Sequence, residues 1–191
     1  DQPTLVRLIV GRDLISLPTP DREVSSAVLL QLQGVLTRPD GQPADLRIGR
    51  GDVVGMPTYI GSGVEELLDI LSGQSRPARA RTHLEERSIG HLNLRQRLKE
   101  GICLIPGDTM KEGLVHTLTV GQNITLPSAS RLARGGLLQP RKVLHWVRRL
   151  IDDLGIRPSQ PDTPVPRLSG GNRQKVVIAK WLAAGARVLL M

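Results

Sequence analysis

The run Arg167-Leu168-Ser169-Gly170-Gly171-Asn172-Arg173-Gln174-Lys175 constrains this chain more than any other stretch. Ser169 is a helix-capping residue type, because its hydroxyl can accept from an N–H of the first turn. Gly170 and Gly171 follow, so the backbone can approach another surface with no Cβ in the way. Val176, Val177, Lys180, Trp181 and Ala184 recur at helical spacing, and Gly185 supplies a stop. The spacing predicts a helix opened by Ser169, then an apolar strand over Arg187-Val188-Leu189-Leu190-Met191. A bare helix N-terminus holds anions, since its free N–H groups and dipole point outward. Ser-Gly-Gly alone would mean no more than a capped helix after a tight turn. The whole run, followed by a strand, carries more information.

That run resembles the signature motif of the ATP-binding cassette (ABC) superfamily, commonly written LSGGQ. Its Asn-x-Gln-Lys ending is similar to the variant in ATP-binding subunits of bacterial sugar importers of the ribose, galactose and xylose type. Those subunits carry two cassettes in one chain. The resemblance implies an α/β fold of the P-loop NTPase-like ABC cassette: a mixed sheet core, an antiparallel β portion and a helical subdomain. It also implies incompleteness on the C-terminal side.

A chain of 191 residues can bury one substantial core. Its 39% hydrophobic content fits a soluble globular protein. Tyr59, Trp146 and Trp181 are its aromatics, so aliphatic side chains must fill that core. Cys103 is the one cysteine, which excludes an intrachain disulfide and suits a reducing cytoplasm. No apolar run approaches a membrane span and the start shows no signal-peptide pattern, so membrane association is expected to be peripheral. The net charge of +8 raises nucleic acid or anionic lipid as partners. Arg76, Arg79, Arg81, Arg87, Arg95, Arg97 and Lys99 crowd one stretch without interleaved aromatics, so no base-stacking platform is expected there. An arginine-rich solvated surface accounts for the charge, and no nucleic-acid partner is expected.

Residues 1–25 read as a short helix, with Leu5, Leu8, Ile9 and Leu14 apolar, and then a proline-bearing linker. By the resemblance they are the tail of a preceding cassette. Residues 26–106 form the β-rich core with a phosphate loop, 107–168 the helical subdomain, and 169–191 the signature helix and a core strand. Strands are expected at Val28–Gln33 and Leu46–Gly55, with Gly49-Arg50-Gly51-Asp52 as a turn inside the second.

Val53 to Leu68 reads as a strand, a glycine-bearing loop and a helix, the setting of a phosphate cradle. Against the pattern G-x-x-x-x-G-K-[ST], Thr58 stands at the first glycine, and Gly61, Ser62 and Gly63 follow. Val64 replaces the lysine that reaches phosphates, and Glu65 replaces the hydroxyl that holds Mg²⁺, with Glu66 next to it. Second cassettes of the sugar-importer family carry Gly-Arg-Thr-Glu-Leu here, so this chain lacks both the Arg and the Thr. Two positive options are gone and a carboxylate is added, a like-charge penalty of several kcal/mol in a partly buried loop. ATP and Mg²⁺ are expected to bind weakly or not at all. A helix-capping turn kept as scaffold and a residual nucleotide contact both remain open.

Val64–Ser72 should be a helix ended by Gly73, with Gln74–Ile89 a hairpin or loop. Asn93 should cap a short helix whose Leu94 and Leu98 share a face. Ile102-Cys103-Leu104-Ile105 reads as a buried parallel strand. Pro106-Gly107-Asp108-Thr109-Met110-Lys111-Glu112-Gly113-Leu114 is similar to the Q-loop segment of the same family. Gly107 holds the position of the metal-facing Gln or Glu, so that contact is lost, while Asp108 is kept and doubles as a turn residue. Thr119 should cap a helical turn, Ser128–Gly136 should be a flexible basic loop, and Pro140 should start a helix with Val143, Leu144, Val147, Leu150, Ile151 and Leu154 on one face.

In the family, the strand at Arg187–Met191 leads into the Walker B box and switch histidine, which this sequence does not contain. His83, His91, His116 and His145 are scattered, and no Cys/His cluster points to a metal. No catalytic residue is assigned. The resemblance implies a peripheral component on the cytoplasmic face of the membrane. Its partners would be a second ATP-binding cassette and a transmembrane permease subunit. Ser169, Gly170, Gly171, Asn172 and Gln174 would be lent to that cassette's ATP. The other reading is a truncated, non-catalytic module that only associates or regulates. Missing core strands would leave a sheet edge exposed, so marginal stability or association is expected.

Overall fold

Leu30 and Leu32 alternate with glutamines along β1 (Val28–Val35), a period-two pattern that buries one face of a sheet, and a register shift between Leu32 and Val35 brings Val35 into the core as well. The computed structural model describes residues 27–35, 43–76, 81–128, 133–134, 137–138 and 140–191. The helix and linker expected over 1–25 lie outside the described residues.

β1 pairs antiparallel with β2 (Ala44–Gly49) on one side and β3 (Arg81–Leu84) on the other. β3 turns at Glu85 into β4 (Arg87–Ser88), giving the order β2-β1-β3-β4. Gln74–Ile89 therefore does contain a hairpin. The expected second strand stops early, at Gly49. Arg50 and Gly51 turn, Gly49 N–H donates to the Asp52 carboxylate at 2.7 Å, and Arg50 pairs with Glu85. Val53–Tyr59 forms no strand, and Val53 and Ile60 are fully exposed.

The buried face of this sheet packs on α1 (Val64–Ser72) through Leu67, Ile70 and Leu71, and on Ile102, Val188 and Leu190. Gly73 ends α1 at φ 83°, as its sequence position foretold. α2 (Leu94–Lys99) opens with a capping box between Asn93 and Gln96. Its buried residue is Arg97, 1% exposed, whereas Leu94 faces solvent. Of the expected apolar pair, Leu98 is half-buried and Leu94 is not. Arg97 Nη1 donates to Ile70 O and, at 2.8 Å, to Leu71 O, while Nε donates to Leu92 O at 3.3 Å. Ile70 and Leu71 lie in the last turn of α1 and Leu92 just before α2, so one guanidinium satisfies carbonyls of both segments at once.

β5 (Ile102–Leu104) pairs parallel with β8 (Val188–Leu190), Ile102 opposite Val188. A π-turn (Thr109–Gly113) leads to α3 (Val120–Thr125), capped by the Thr119/Gln122 box. Within the expected 128–136 loop, Ala133–Arg134 forms β6, antiparallel to β7 (Leu137–Leu138). α4 (Pro140–Asp153) begins at its proline and buries Val147 and Ile151, with Leu144 exposed. A 3₁₀ turn (Val165–Arg167) precedes α5 (Gly170–Ala184), which buries Val176, Val177, Ala179 and Ala183. Together with Ile105, Leu114, Val120, Ile124, Ile156, Val165 and Leu168 these side chains form a second apolar cluster.

Candidate functional site: a bare helix N-terminus and a glycine loop

At the start of α5, Ser169, Gly170 and Gly171 are exposed. A Cβ at either glycine would meet nothing within 4 Å. Arg173 N–H bonds Ser169 O at 2.9 Å, the first amide of the helix to find a partner. Among the described residues, no acceptor serves the amides of Gly170, Gly171 or Asn172. Three donors at the positive end of a 15-residue helix therefore face outward. The expected capping bond is not made: Ser169 Oγ accepts from Asn172 Nδ2 at 2.9 Å, not from a backbone amide. Asn172 Oδ1 in turn takes the Arg157 N–H at 2.8 Å, and Lys175 Nζ donates to Gly155 O at 2.9 Å. Both tie the first turn of α5 to the chain just after α4. Gln174 is exposed on the same turn.

The glycine loop has the shape of a cradle without its charge. Gly61 and Gly63 sit at φ 80° and 79°, a left-handed conformation that glycine adopts freely. Ser62 N–H closes a turn on Tyr59 O at 2.8 Å, and Ser62 Oγ accepts weakly from Val64 N–H at 3.4 Å. An open cavity of about 380 Å³ is lined by Thr58, Tyr59, Ile60, Gly61, Ser62, Gly63, Glu65 and Glu66. No Lys or Arg among the described residues lines it. Glu65 and Glu66 stand in the first turn of α1 and are exposed. The expected partly buried repulsion is thus screened by solvent. The missing positive partner is what makes these residues a poor fit to a triphosphate and its Mg²⁺. The preceding segment, moreover, is not a strand.

Gly107 and Asp108 are exposed. The Asp108 carboxylate accepts from Met110 N–H at 3.1 Å and Lys111 N–H at 3.0 Å, capping the π-turn. The Lys111 backbone bond, together with the Lys111 side chain, holds its carboxyl below the usual carboxylate range. Asp108 thus serves this chain's own turn. That turn is fastened to α5, for Lys180 Nζ donates to Gly113 O at 2.8 Å while lying 4.6 Å from the Trp181 ring centre. Sequence reasoning put Lys180 on the spacing of the signature helix and Arg97 in a solvated basic stretch, and it foresaw none of the contacts that these two and Asn123 make. The buried Asn123 accepts from Val115 N–H at 2.8 Å and donates to the Val115 and Thr119 carbonyls. Nothing in a one-dimensional pattern marks which carbonyls a long polar side chain will reach.

The sequence profile of the ABC transporter family matches residues 42–191, from the second strand through the signature run to the last residue. The chain belongs to the ABC transporter family. Among curated relatives, the ribose import ATP-binding protein RbsA 3 of Rhizobium etli is 34% identical over 191 residues, covering 100% of this chain and 37% of the relative. The arabinose import ATP-binding protein AraG of Azospirillum brasilense is 30% identical over 192 residues, with the same coverage. The chain thus spans little more than a third of the length of these relatives. Among solved structures, cbiO1 from Clostridium perfringens, part of the ABC transporter complex cbiONQ, aligns with a TM-score of 0.69 at 21% identity, covering 85% of this chain and 64% of that one. The ATP-binding cassette MJ0796, solved as a dimer in a post-hydrolysis state with ADP and Pi, aligns at 0.67 and 19% identity, covering 84% and 72%. These two establish the shared cassette fold. In this ABC chain, among the described residues, the lining of the loop's cavity runs from Thr58 to Glu66 and includes no residue of the signature run. Among the described residues no helix is long and apolar enough to cross a membrane, and no group of His, Cys, Asp and Glu is placed to hold a metal ion.

Proposed function

We propose that this chain is part of the ATP-binding component of a sugar-type ABC importer and that it acts as a signature donor. Its α5 N-terminus would close over ATP gripped by a second cassette, and its own phosphate loop would be degenerate. The observation that carries this reading is the outward-facing set at α5: the amides of Gly170, Gly171 and Asn172 beside the exposed Ser169 hydroxyl. Donors fixed in advance around a phosphoryl group stabilise charge without reorganising. ATP would supply the transferable phosphoryl group and Mg²⁺ its charge neutralisation. This chain's residues orient that group and exclude water from it. The ribose and arabinose import named for the relatives supports a pentose-type solute, and the same import role supports a permease subunit and a paired cassette as partners. The location that follows is peripheral, on the cytoplasmic face.

The cavity at Thr58–Glu66, lined by no Lys or Arg among the described residues, favours a second reading for that half, a non-catalytic interaction module. Two measurements separate the outcomes. Calorimetry on the isolated chain should show no Mg-ATP binding in the micromolar range, and micromolar affinity would contradict the degenerate loop. Ser169→Ala in the full two-cassette subunit should lower ATPase kcat by roughly 100-fold, the scale of losing one transition-state donor. Unchanged turnover would leave only the interaction module.

A further inference from the structure

The side-chain amide of Asn172 has two chemically distinct ends, and the structure fixes which faces where. Its Oδ1 lies 2.8 Å from the Arg157 backbone nitrogen. A peptide N–H only donates, so the oxygen must be the atom at that position, which excludes the flipped amide. The NH₂ end then faces Ser169 Oγ at 2.9 Å, and because it too only donates, the serine oxygen accepts. The hydroxyl proton is left to point elsewhere. The same bond keeps the serine oxygen off the helix's own amides, which an N-cap serine would otherwise occupy.

We infer that Asn172 is a positioning residue: it sets Ser169 as an outward hydrogen-bond donor and keeps the first-turn amides of α5 open for phosphoryl oxygens. This rests on the donor reading of α5 given above. Arg157 is part of the device, because its N–H decides the direction of the whole relay. Two consecutive hydrogen bonds thereby convert a rotatable hydroxyl, able to give or take, into one that gives. An anionic oxygen of a bound nucleotide wants that polarity.

The direction of the relay makes the test sharp. Asn172→Asp keeps the shape and the Arg157 bond, but its second oxygen only accepts, so it turns the Ser169 proton inward. Asn172→Ala loses the Arg157 bond and leaves the hydroxyl free to rotate. ATPase kcat and KM are measured in the full two-cassette subunit, with urea unfolding as a control on the fold. Asn172→Asp should lose kcat on the scale of Ser169→Ala, roughly 100-fold. Its KM should be unchanged, because the partner cassette grips the nucleotide. Asn172→Ala should lose less kcat while losing more stability. In a Ser169→Ala background the Asp substitution should cost little further, which separates reversal of the hydroxyl from simple charge repulsion. If Ser169→Ala is silent, the donor reading itself falls. If Ser169→Ala matters but Asp is milder than Ala at 172, or its cost is undiminished in the Ser169→Ala background, this inference alone is overturned. Should Asn172→Ala fail to fold, the Asp and Ser169 cycle decides without it.

Discussion

Arg97 shows how one side chain can carry a junction. Its guanidinium is enclosed between the end of α1 and the segment before α2, satisfying carbonyls of Ile70, Leu71 and Leu92. Gly73 makes room for it, since a Cβ there would sit 2.9 Å from Arg97 Cδ. Arg97→Met fills similar space but strands those acceptors. We expect a loss of roughly 2–3 kcal/mol in urea unfolding, the cost of burying unpaired carbonyls. A change below half a kcal/mol would mean that water replaces the guanidinium. The sequence placed Arg97 in a solvated basic stretch because arginine is seldom fully buried. Its burial became visible only with the three carbonyls around it. Asn172 was legible as part of the signature run, but its service to Ser169 was not, since Arg157 lies far away in sequence.

Among the elements, those with local punctuation were readable and those that need a partner were not. α1 ends where Gly73 says it should, and α2 and α3 begin where the expected caps Asn93 and Thr119 place them. The apolar run Val53-Val54-Gly55-Met56 invited a strand, yet it has no sheet neighbours among the described residues: Val53, Val54 and Gly55 lie exposed and Met56 alone of the four packs on the apolar cluster. A strand requires a ladder as well as a pattern. The π-turn at Thr109–Gly113 escaped notice for a related reason, its shape being set by contact with α5. A Cβ on Gly113 would meet Val177 Cγ2 at 2.9 Å, and valine is stiff at χ1. Gly113→Ala should therefore cost about 1–3 kcal/mol by overpacking. Val177→Ala should rescue part of that loss in the double variant, measured by chemical denaturation. Strict additivity would show that the contact is not the cause.

At the scale of the whole molecule, two apolar clusters flank the parallel pair β5–β8, with Leu104 against one and Ile105 in the other. Cys103, one residue before Leu104 on β5, is buried, and burial pushes its thiol up to about 11. A folded-state pKa above the unfolded value of 9.0 adds stability that is fully present below pH 9 and lost as pH rises through about 11. At pH 8, iodoacetamide should leave Cys103 unmodified until urea unfolds the chain, so that labelling follows the global transition. Rapid labelling of the native protein would place the thiol at the surface. Part of the alkaline loss of stability should vanish in Cys103→Ala. The cassette family was legible because one glycine run carries it, and Val64 and Glu65 were legible as departures from the phosphate-loop pattern, whereas the exposure of Glu65 and Glu66 to solvent needed the structure. Finally, Ile102 meets Val188 only after everything between them has been made and arranged. Closing so long a loop is slow, and a nascent chain releases its early segments first. The antiparallel sheet can assemble while translation continues, but the parallel ladder waits for the ribosome to deliver β8.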